Sequence, residues 1–198
     1  IDATGRFLTR EKLALHIESG AKRVFLTRNP KDDLDRYVIP GINEKNISLS
    51  DKIVSTTSST TQVLALMVKM LDESFGLERA MMTTVHAYTA DQPLADVAGV
   101  DLRRSRSAVE NIIPNTTRPP SLVEKIMPQY KDKIQGIAFN VPVPNGSCVD
   151  LTTELKNPPS VEEANQAIKN FSETSLNGIV GYTSDPIVSS DVSGREET

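Results

Sequence analysis

A parallel α/β first part leading into an α+β second part is the fold class this sequence predicts, on three observations. Up to Ser55, short apolar runs alternate with a capped helical segment, the strand–helix–strand rhythm of a parallel sheet. Beyond Gly76, strand-like runs follow in series with one packing helix after them. Joining the two parts is Ser58 to Phe75, a helical stretch with Val63, Leu64, Leu66, Met67, Val68, Met70 and Leu71 nearly all round, the mark of a buried helix.

In chain order, Ile1 to Thr4 reads as the end of a buried strand turned by Gly5. Thr9 caps a helix whose inward side is Leu13, Ala14 and Ile17, and Gly20 stops it. Val24 to Thr27 is a short buried strand; Asn29, Pro30 and the charged run to Arg36 form a solvated loop. Tyr37 to Ile39 and Lys52 to Ser55 are further strands. Gly76 ends the buried helix, and Leu77 to His86 is a strand. From Tyr88 to Pro120 the chain is polar and irregular; a stretch of this kind is functional or lies at an interface. Ile134 to Val143 and Ser147 to Leu155 read as two strands joined by Pro144-Asn-Gly146. Ser160-Val-Glu-Glu163 is a capping box opening a helix to about Phe171, with Ala164, Ala167, Ile168 and Phe171 inward. Gly178 to Tyr182 and Ile187 to Ser190 read as two more strands, and Asp191 to Thr198 as a frayed tail.

The 198 residues are 38% apolar, enough for a real core. Twenty-six acids against 22 bases give a net charge of −4 with the signs interspersed, and aromatics are sparse, so nucleic acid is not an expected partner. The longest purely apolar run, Val63 to Val68, is far too short to span a bilayer, so no membrane partner is expected either. The single cysteine, Cys148, excludes an intrachain disulfide and suits a reducing, cytoplasmic compartment. The chain opens without methionine inside an apparent strand; both ends are expected to belong to something longer.

Two polar strings carry the candidate chemistry. Ser55-Thr-Thr-Ser-Ser-Thr-Thr-Gln62 opens the buried helix and places Ser59 in its first turn. There, unsatisfied N–H groups and the positive end of the macrodipole favour an oxyanion or a thiolate. A serine hydroxyl gains far less than a thiol and needs a base to act as a nucleophile. The plain alternative is that Ser58 to Thr61 are capping hydroxyls. His86, at the end of Thr83-Thr-Val-His86, is the natural base; its alternative is a hydrogen-bonded structural histidine. His16 lies among ordinary surface residues and receives no role. Thr89, Asp91, Gln92, Arg103, Arg104 and Arg106 follow, and hydroxyls beside an arginine suit a phosphate, although an arginine run also suits solvent or a subunit contact. Cys148, in an alternating strand, reads as a buried structural thiol, with a relocated nucleophile as the alternative. No metal site is expected.

In this order the residues resemble phosphorylating glyceraldehyde-3-phosphate dehydrogenases along nearly the whole chain. The match is carried by Ala3-Thr-Gly-Arg-Phe7 with Gly20-Ala-Lys-Arg-Val24, by Ser55 to Gln62, and by Thr83-Thr-Val-His-Ala-Tyr-Thr89. Asp101-Leu-Arg-Arg104, Ile112-Ile-Pro-Asn-Thr-Thr117, Val141-Pro-Val-Pro-Asn145 and Val188-Ser-Ser-Asp191 continue it. The resemblance implies that residues 1–58 are the C-terminal part of a Rossmann-like NAD-binding domain. It implies that 59–198 are a catalytic-type domain, with a mixed, mostly antiparallel sheet packed by helices. In that family a cysteine thiolate attacks an aldehyde, hydride passes to NAD from the thiohemiacetal, and inorganic phosphate releases an acyl phosphate. Carried over, Ser59 holds the nucleophile's place and His86 the base's. Ser58, Thr60, Arg104 and Thr117 line phosphate pockets, Thr89 and Asp91 contribute to the substrate-phosphate side, and Thr4, Gly5 and Thr27 touch NAD. A phosphorylated small molecule or inorganic phosphate, and a homotetramer using the loop from Tyr88 to Arg118, are the implied partners.

The sequence departs from that pattern at clustered positions. Serine replaces the nucleophilic cysteine, Gln62 an asparagine, Arg118 a glycine, Asn140 an arginine, Arg28 a small residue near the nicotinamide, and Ala90 an asparagine. The glycine-rich pyrophosphate turn and the C-terminal segment of the family are not within the chain. An impaired or inactive oxidoreductase is therefore expected, the alternative being a non-catalytic structural or regulatory subunit. A weaker alternative is a small-anion binding module using Arg118, with Arg104, in place of the charge absent at Asn140.

Overall fold

The buried helix organises the molecule, whose computed structural model describes residues 1–198. Before it lie α1 (Arg10–Glu18) and a three-stranded parallel sheet of β1 (Val24–Leu26), β2 (Arg36–Tyr37) and β3 (Ile53–Ser55), in the order β1-β3-β2. After it come β4 (Leu77–Ala87), β5 (Ile113–Asn115), β6 (Ile134–Val141) and β7 (Cys148–Leu155), in the order β5-β6-β4-β7. In this second sheet β4 pairs parallel with β6, while β4–β7 and β5–β6 are antiparallel. The sheet is thus mixed and mostly antiparallel, as the family resemblance implies. α2 (Ser59–Phe75), α3 (Pro119–Ile126) and α4 (Val161–Glu173) pack around it.

α2 begins where Ser58 Oγ accepts from the Thr61 N–H at 3.3 Å, satisfying one orphan donor. Its Leu, Met and Ala content favours the helix. Gly76, at φ +72°, ends it in a conformation that other residues resist, and its N–H returns to the Asp72 carbonyl. Asp72 then takes the Leu77 N–H at 2.8 Å and the Tyr130 hydroxyl at 2.5 Å, fixing how β4 leaves the helix. Burial in this contact, and the Asp72 charge beside it, push the Tyr130 hydroxyl well above the usual phenol range.

The apolar circumference of α2 has a use on each side. Leu64, Ala65 and Val68 pack with Ala80 and Met82 of β4, Val123 and Met127, Tyr130 and Ile134. Leu66 and Met70 pack with Leu176 and Val180, backed by Ile168 and Phe171 of α4. Each such side chain contributes roughly 1.5–3 kcal/mol on burial. A smaller cluster of Leu13, Val24, Leu26, Leu34 and Ile53 holds α1 on the parallel sheet. The predicted capping box of α4 is present, with both Ser160–Glu163 bonds formed.

Several elements differ from the sequence reading. Ile1 to Thr4 contributes one parallel bridge, Asp2 to Leu26, not a strand. The second strand is Arg36–Tyr37, because the Ile39 N–H is taken by the Asn43 side chain and leaves the ladder. β6 and β7 do not pair with one another: β4, eleven residues long, lies between them. The stretch from Tyr88 to Pro120 contains β5, and α3 begins at Pro119. Pro114 is tolerated because β5 is an edge strand, and Pro119 and Pro120 occupy first-turn positions whose N–H groups have no helical partner. Neither Gly178 to Tyr182 nor Ile187 to Ser190 is a strand: the first is a turn running into irregular chain, and the second ends in a short 3-10 segment, Ser189–Val192. Leu176 and Val180 anchor this region on α2, and the chain beyond Gly181 has exposed side chains. The tail is nonetheless tied: Thr198 bonds back to Ile179 and Gly181.

Candidate functional site

The carboxyl edge of the parallel sheet is where the first set of predicted residues converges. Asp2, bridged to Leu26, leads into Thr4 and Gly5; β1 leads into Thr27 and Arg28; β3 leads into Thr56 to Ser59. Ligands of open parallel sheets lie at this edge. Asp2, almost fully buried, organises it. Its carboxylate accepts from the Thr4 N–H and hydroxyl, both at 2.9 Å, and its carbonyl accepts from the Thr27 N–H at 3.1 Å. His16 Nε2 lies 2.9 Å from the same carboxylate, with its ring against Phe7. The reading of His16 as surrounded by ordinary surface residues is thereby corrected: it is half-buried and supports Asp2. Burial raises the Asp2 carboxyl, but the His16 and Thr4 hydrogen bonds outweigh it and hold the group below the usual carboxylate range.

Between β3 and α2 the backbone turns sharply. Thr57 has φ +63°, a strained value for a β-branched residue, and is fully enclosed. Its N–H is held by Ser55 Oγ at 2.9 Å, and Ser55 in turn donates to the Arg28 carbonyl at 2.8 Å. Gln62 Nε2 reaches back to the Thr56 carbonyl at 2.7 Å. These bonds fix a strand–turn–helix tip. On it Ser58 is the capping hydroxyl, Thr60 is buried, and Ser59 is exposed without a side-chain partner in the protein. Capping and a free hydroxyl thus fall to different residues.

His86 reaches the same end of the molecule by geometry. The 17-residue α2 is about 25 Å long, and Leu77 to His86 spans roughly 30 Å in the opposite direction after the Gly76 turn. With β4 packed along α2, the strand's far end returns to the helix N-terminus. His86 is half-buried, and its Nδ1 lies 2.7 Å from the Ala87 carbonyl. A carbonyl only accepts, so Nδ1 carries a proton and Nε2 is the nitrogen left to act as a base. The Ala87 carbonyl also takes Asn140 Nδ2 at 3.4 Å, and Asn140 Oδ1 takes Asn115 Nδ2 at 3.1 Å. Asn140, opposite His86 in the sheet and buried, is therefore part of the backing of the imidazole.

Beyond β4 the loop forms a charged cluster. Asp91 accepts from the Thr89 hydroxyl through Oδ1 and from Arg104 Nη2 through Oδ2, each at 2.5 Å. Asp101 caps the Arg103 and Arg104 N–H groups and so places the guanidinium. Burial raises the Asp91 carboxyl, but the Thr89 hydroxyl and the Arg104 and Arg28 charges outweigh it and hold it low. Arg28 connects the two sets of residues. Its charge helps lower the Asp91 carboxyl, and its Nη1 lies over Gly5, 2.5 Å from where a Cβ would be. Thr117 is half-buried in the connection from β5 to α3 and shows no side-chain hydrogen bond. Arg118 starts α3 and donates to the Pro30 carbonyl at 3.1 Å; Lys125 of the same helix pairs with Asp33. Cys148 is exposed, a correction to its reading as buried: it stands at an outward position of the edge strand β7. No cluster of metal-ligating side chains is present.

Sequence reasoning missed Asp2, Arg28 and Asn140 as organisers, because their partners are distant in the chain. The one available signal was Arg28 itself, an arginine directly after a buried strand.

A parallel-sheet α/β part joined through a buried helix to an α+β part with a mixed sheet is the class that the fold defines. Residues 58–198 match the family described as glyceraldehyde 3-phosphate dehydrogenase, C-terminal domain. The chain is 44% identical over 192 residues to the glyceraldehyde-3-phosphate dehydrogenase of Mycobacterium avium, covering 97% of this chain and 56% of that protein. It is 44% identical over 195 residues to that of Geobacillus stearothermophilus, covering 98% and 58%. It is 44% identical over 192 residues to glyceraldehyde-3-phosphate dehydrogenase 2 of Bacillus subtilis, covering 96% and 56%. The chain belongs to the glyceraldehyde-3-phosphate dehydrogenase family, and it spans a little under three-fifths of the length of these relatives.

Proposed function

We propose that the protein carrying this chain is an NAD-dependent glyceraldehyde-3-phosphate dehydrogenase-like oxidoreductase, slowed at its nucleophile position. What supports this reading is an exposed Ser59 at the α2 tip, together with a His86 near the far end of the strand that runs back along α2, whose Nε2 makes no hydrogen bond within the protein. In this proposal residues 1–58 close a dinucleotide-binding domain and residues 59–198 form the catalytic part. Ser58, Thr60, Arg104, Thr117 and Arg118 line anion pockets, with Thr89 and Asp91 on the substrate-phosphate side. A cytoplasmic homotetramer acting on a phosphorylated aldehyde is the matching setting. No helix is long and apolar enough to cross a membrane.

The residues expected against NAD suit it by position. Thr4, Gly5 and Thr27 stand together at the carboxyl edge of parallel strands, where a dinucleotide lies in such sheets. When bound, NAD supplies the hydride acceptor. The chain's own residues do the rest. His86 Nε2 takes the Ser59 proton as Oγ attacks the aldehyde carbon, the α2 N–H groups stabilise the developing charge, and the threonine hydroxyls with Arg104 hold phosphate oxygens. Serine limits this sequence twice. Its hydroxyl is far from ionised near neutrality, and its oxygen ester yields an acyl group to phosphate less readily than a thioester.

The assay is NAD reduction by the full-length protein with glyceraldehyde 3-phosphate and phosphate. Loss of a nucleophile costs roughly four orders of magnitude or more, so the rate should lie that far below a cysteine-bearing relative such as the Geobacillus protein. A rate within tenfold of that relative would overturn the reading.

A further inference from the structure

We propose that Asp91 is a tethered counter-anion holding the Thr89–Arg104 anion site closed, so that a phosphate or sulfate dianion enters only by displacing its carboxylate. This rests on the anion-site reading given above and concerns how that site is regulated. The carboxylate uses each oxygen as a bound phosphate would: Oδ1 on the Thr89 hydroxyl and Oδ2 on Arg104 Nη2, each at 2.5 Å. Both donors expected to meet a phosphate are thus engaged by the protein itself. A hydroxyl has one proton to give, and Thr89 gives it to Asp91.

The surroundings favour exchange over a permanent structural role. The Asp91 side chain is 55% exposed, so the carboxylate can rotate into water without opening the core. Gln92 behind it is only 6% exposed; its Oε1 fixes the Thr89 N–H at 3.1 Å, while its Nε2 is buried with no partner. Arg28 adds a second positive charge, near enough to help hold the Asp91 carboxyl low. A dianion gains more than a single carboxylate from two guanidinium groups, so the tether excludes weak monoanions and yields to phosphate. Arg104 is the counterion that Asp91 takes.

The test is sulfate titration of the full-length protein by calorimetry at constant ionic strength. The variants are Asp91→Asn, Asp91→Ala, Arg104→Ala and the Asp91→Asn/Arg104→Ala double. Both Asp91 variants should bind sulfate about tenfold more tightly than the parent, and both Arg104 variants should lose binding. Binding detectable only after Asp91 is neutralised supports the tether equally. Unchanged or weaker binding in both Asp91 variants, with binding lost in Arg104→Ala, overturns the tether and leaves the anion site standing. Parent-like binding in Arg104→Ala, or no binding in any form, overturns the anion site and the tether together. Two Asp91 variants at an exposed loop position guard against one failing to fold.

Discussion

Ser59→Cys in the full-length protein is expected to raise phosphate-dependent NAD reduction with glyceraldehyde 3-phosphate by about a hundredfold or more. The argument is local. Ser59 occupies the first residue of α2, its side chain is exposed and unengaged, and the strained turn at Thr57 holds it there. A thiol at that tip is shifted toward the thiolate by the helix N-terminus, and a thioester transfers its acyl group to phosphate readily. The gain stops short of a full nucleophile's worth, because Asn140 supplies no charge and Arg118 has one nitrogen engaged on the Pro30 carbonyl. Steady-state rates of the two forms decide it. No gain at all would favour a subunit that keeps the fold without turnover.

Leu64→Ala should destabilise the protein by about 2–5 kcal/mol, the range for a leucine deleted from a closed core. Leu64 is 0% exposed and lies where α2, β4 and α3 meet. The helix it anchors also carries Ser58, Ser59 and Thr60, so stability and site geometry depend on the same contact. Leu49→Ala is the matched control. That side chain is 91% exposed, and its removal should change stability by less than about 0.5 kcal/mol. Denaturant midpoints at equal slope separate the two; a Leu64→Ala midpoint equal to the Leu49→Ala midpoint would contradict this core.

What was legible in the sequence is what local rules encode. α2 was readable because Ser58 caps it, Gly76 stops it, and its apolar circumference has packing on both sides. The Ser160 capping box was readable for the same reason. Ser59 and His86 stood out because each lies in a contiguous polar string at the end of a regular element. The pairing of β4 between β6 and β7 was not readable: adjacency in the chain suggests a hairpin across Pro144-Asn-Gly146, whereas each of these strands pairs with β4, more than fifty residues earlier in the chain. α3 was hidden by Pro119 and Pro120, which read as breakers until they fall in a first turn. Cys148 was assigned inward from alternation alone, yet alternation gives two faces and does not say which is covered. The Asp2–His16, Arg118–Pro30 and Asp91–Arg104 contacts join residues far apart in the chain, and no local pattern announces them.

The central claim is that the α2 tip and the His86 imidazole act on one atom. The direct measurement is the pH dependence of iodoacetamide alkylation at a cysteine placed at Ser59, with the exposed Cys148 changed to serine so that one thiol reports. The midpoint should fall at least a full unit below the ordinary thiol value of about 8.5, and should move back toward it when His86→Ala is added. A midpoint near the ordinary value that is indifferent to His86 would contradict the claim.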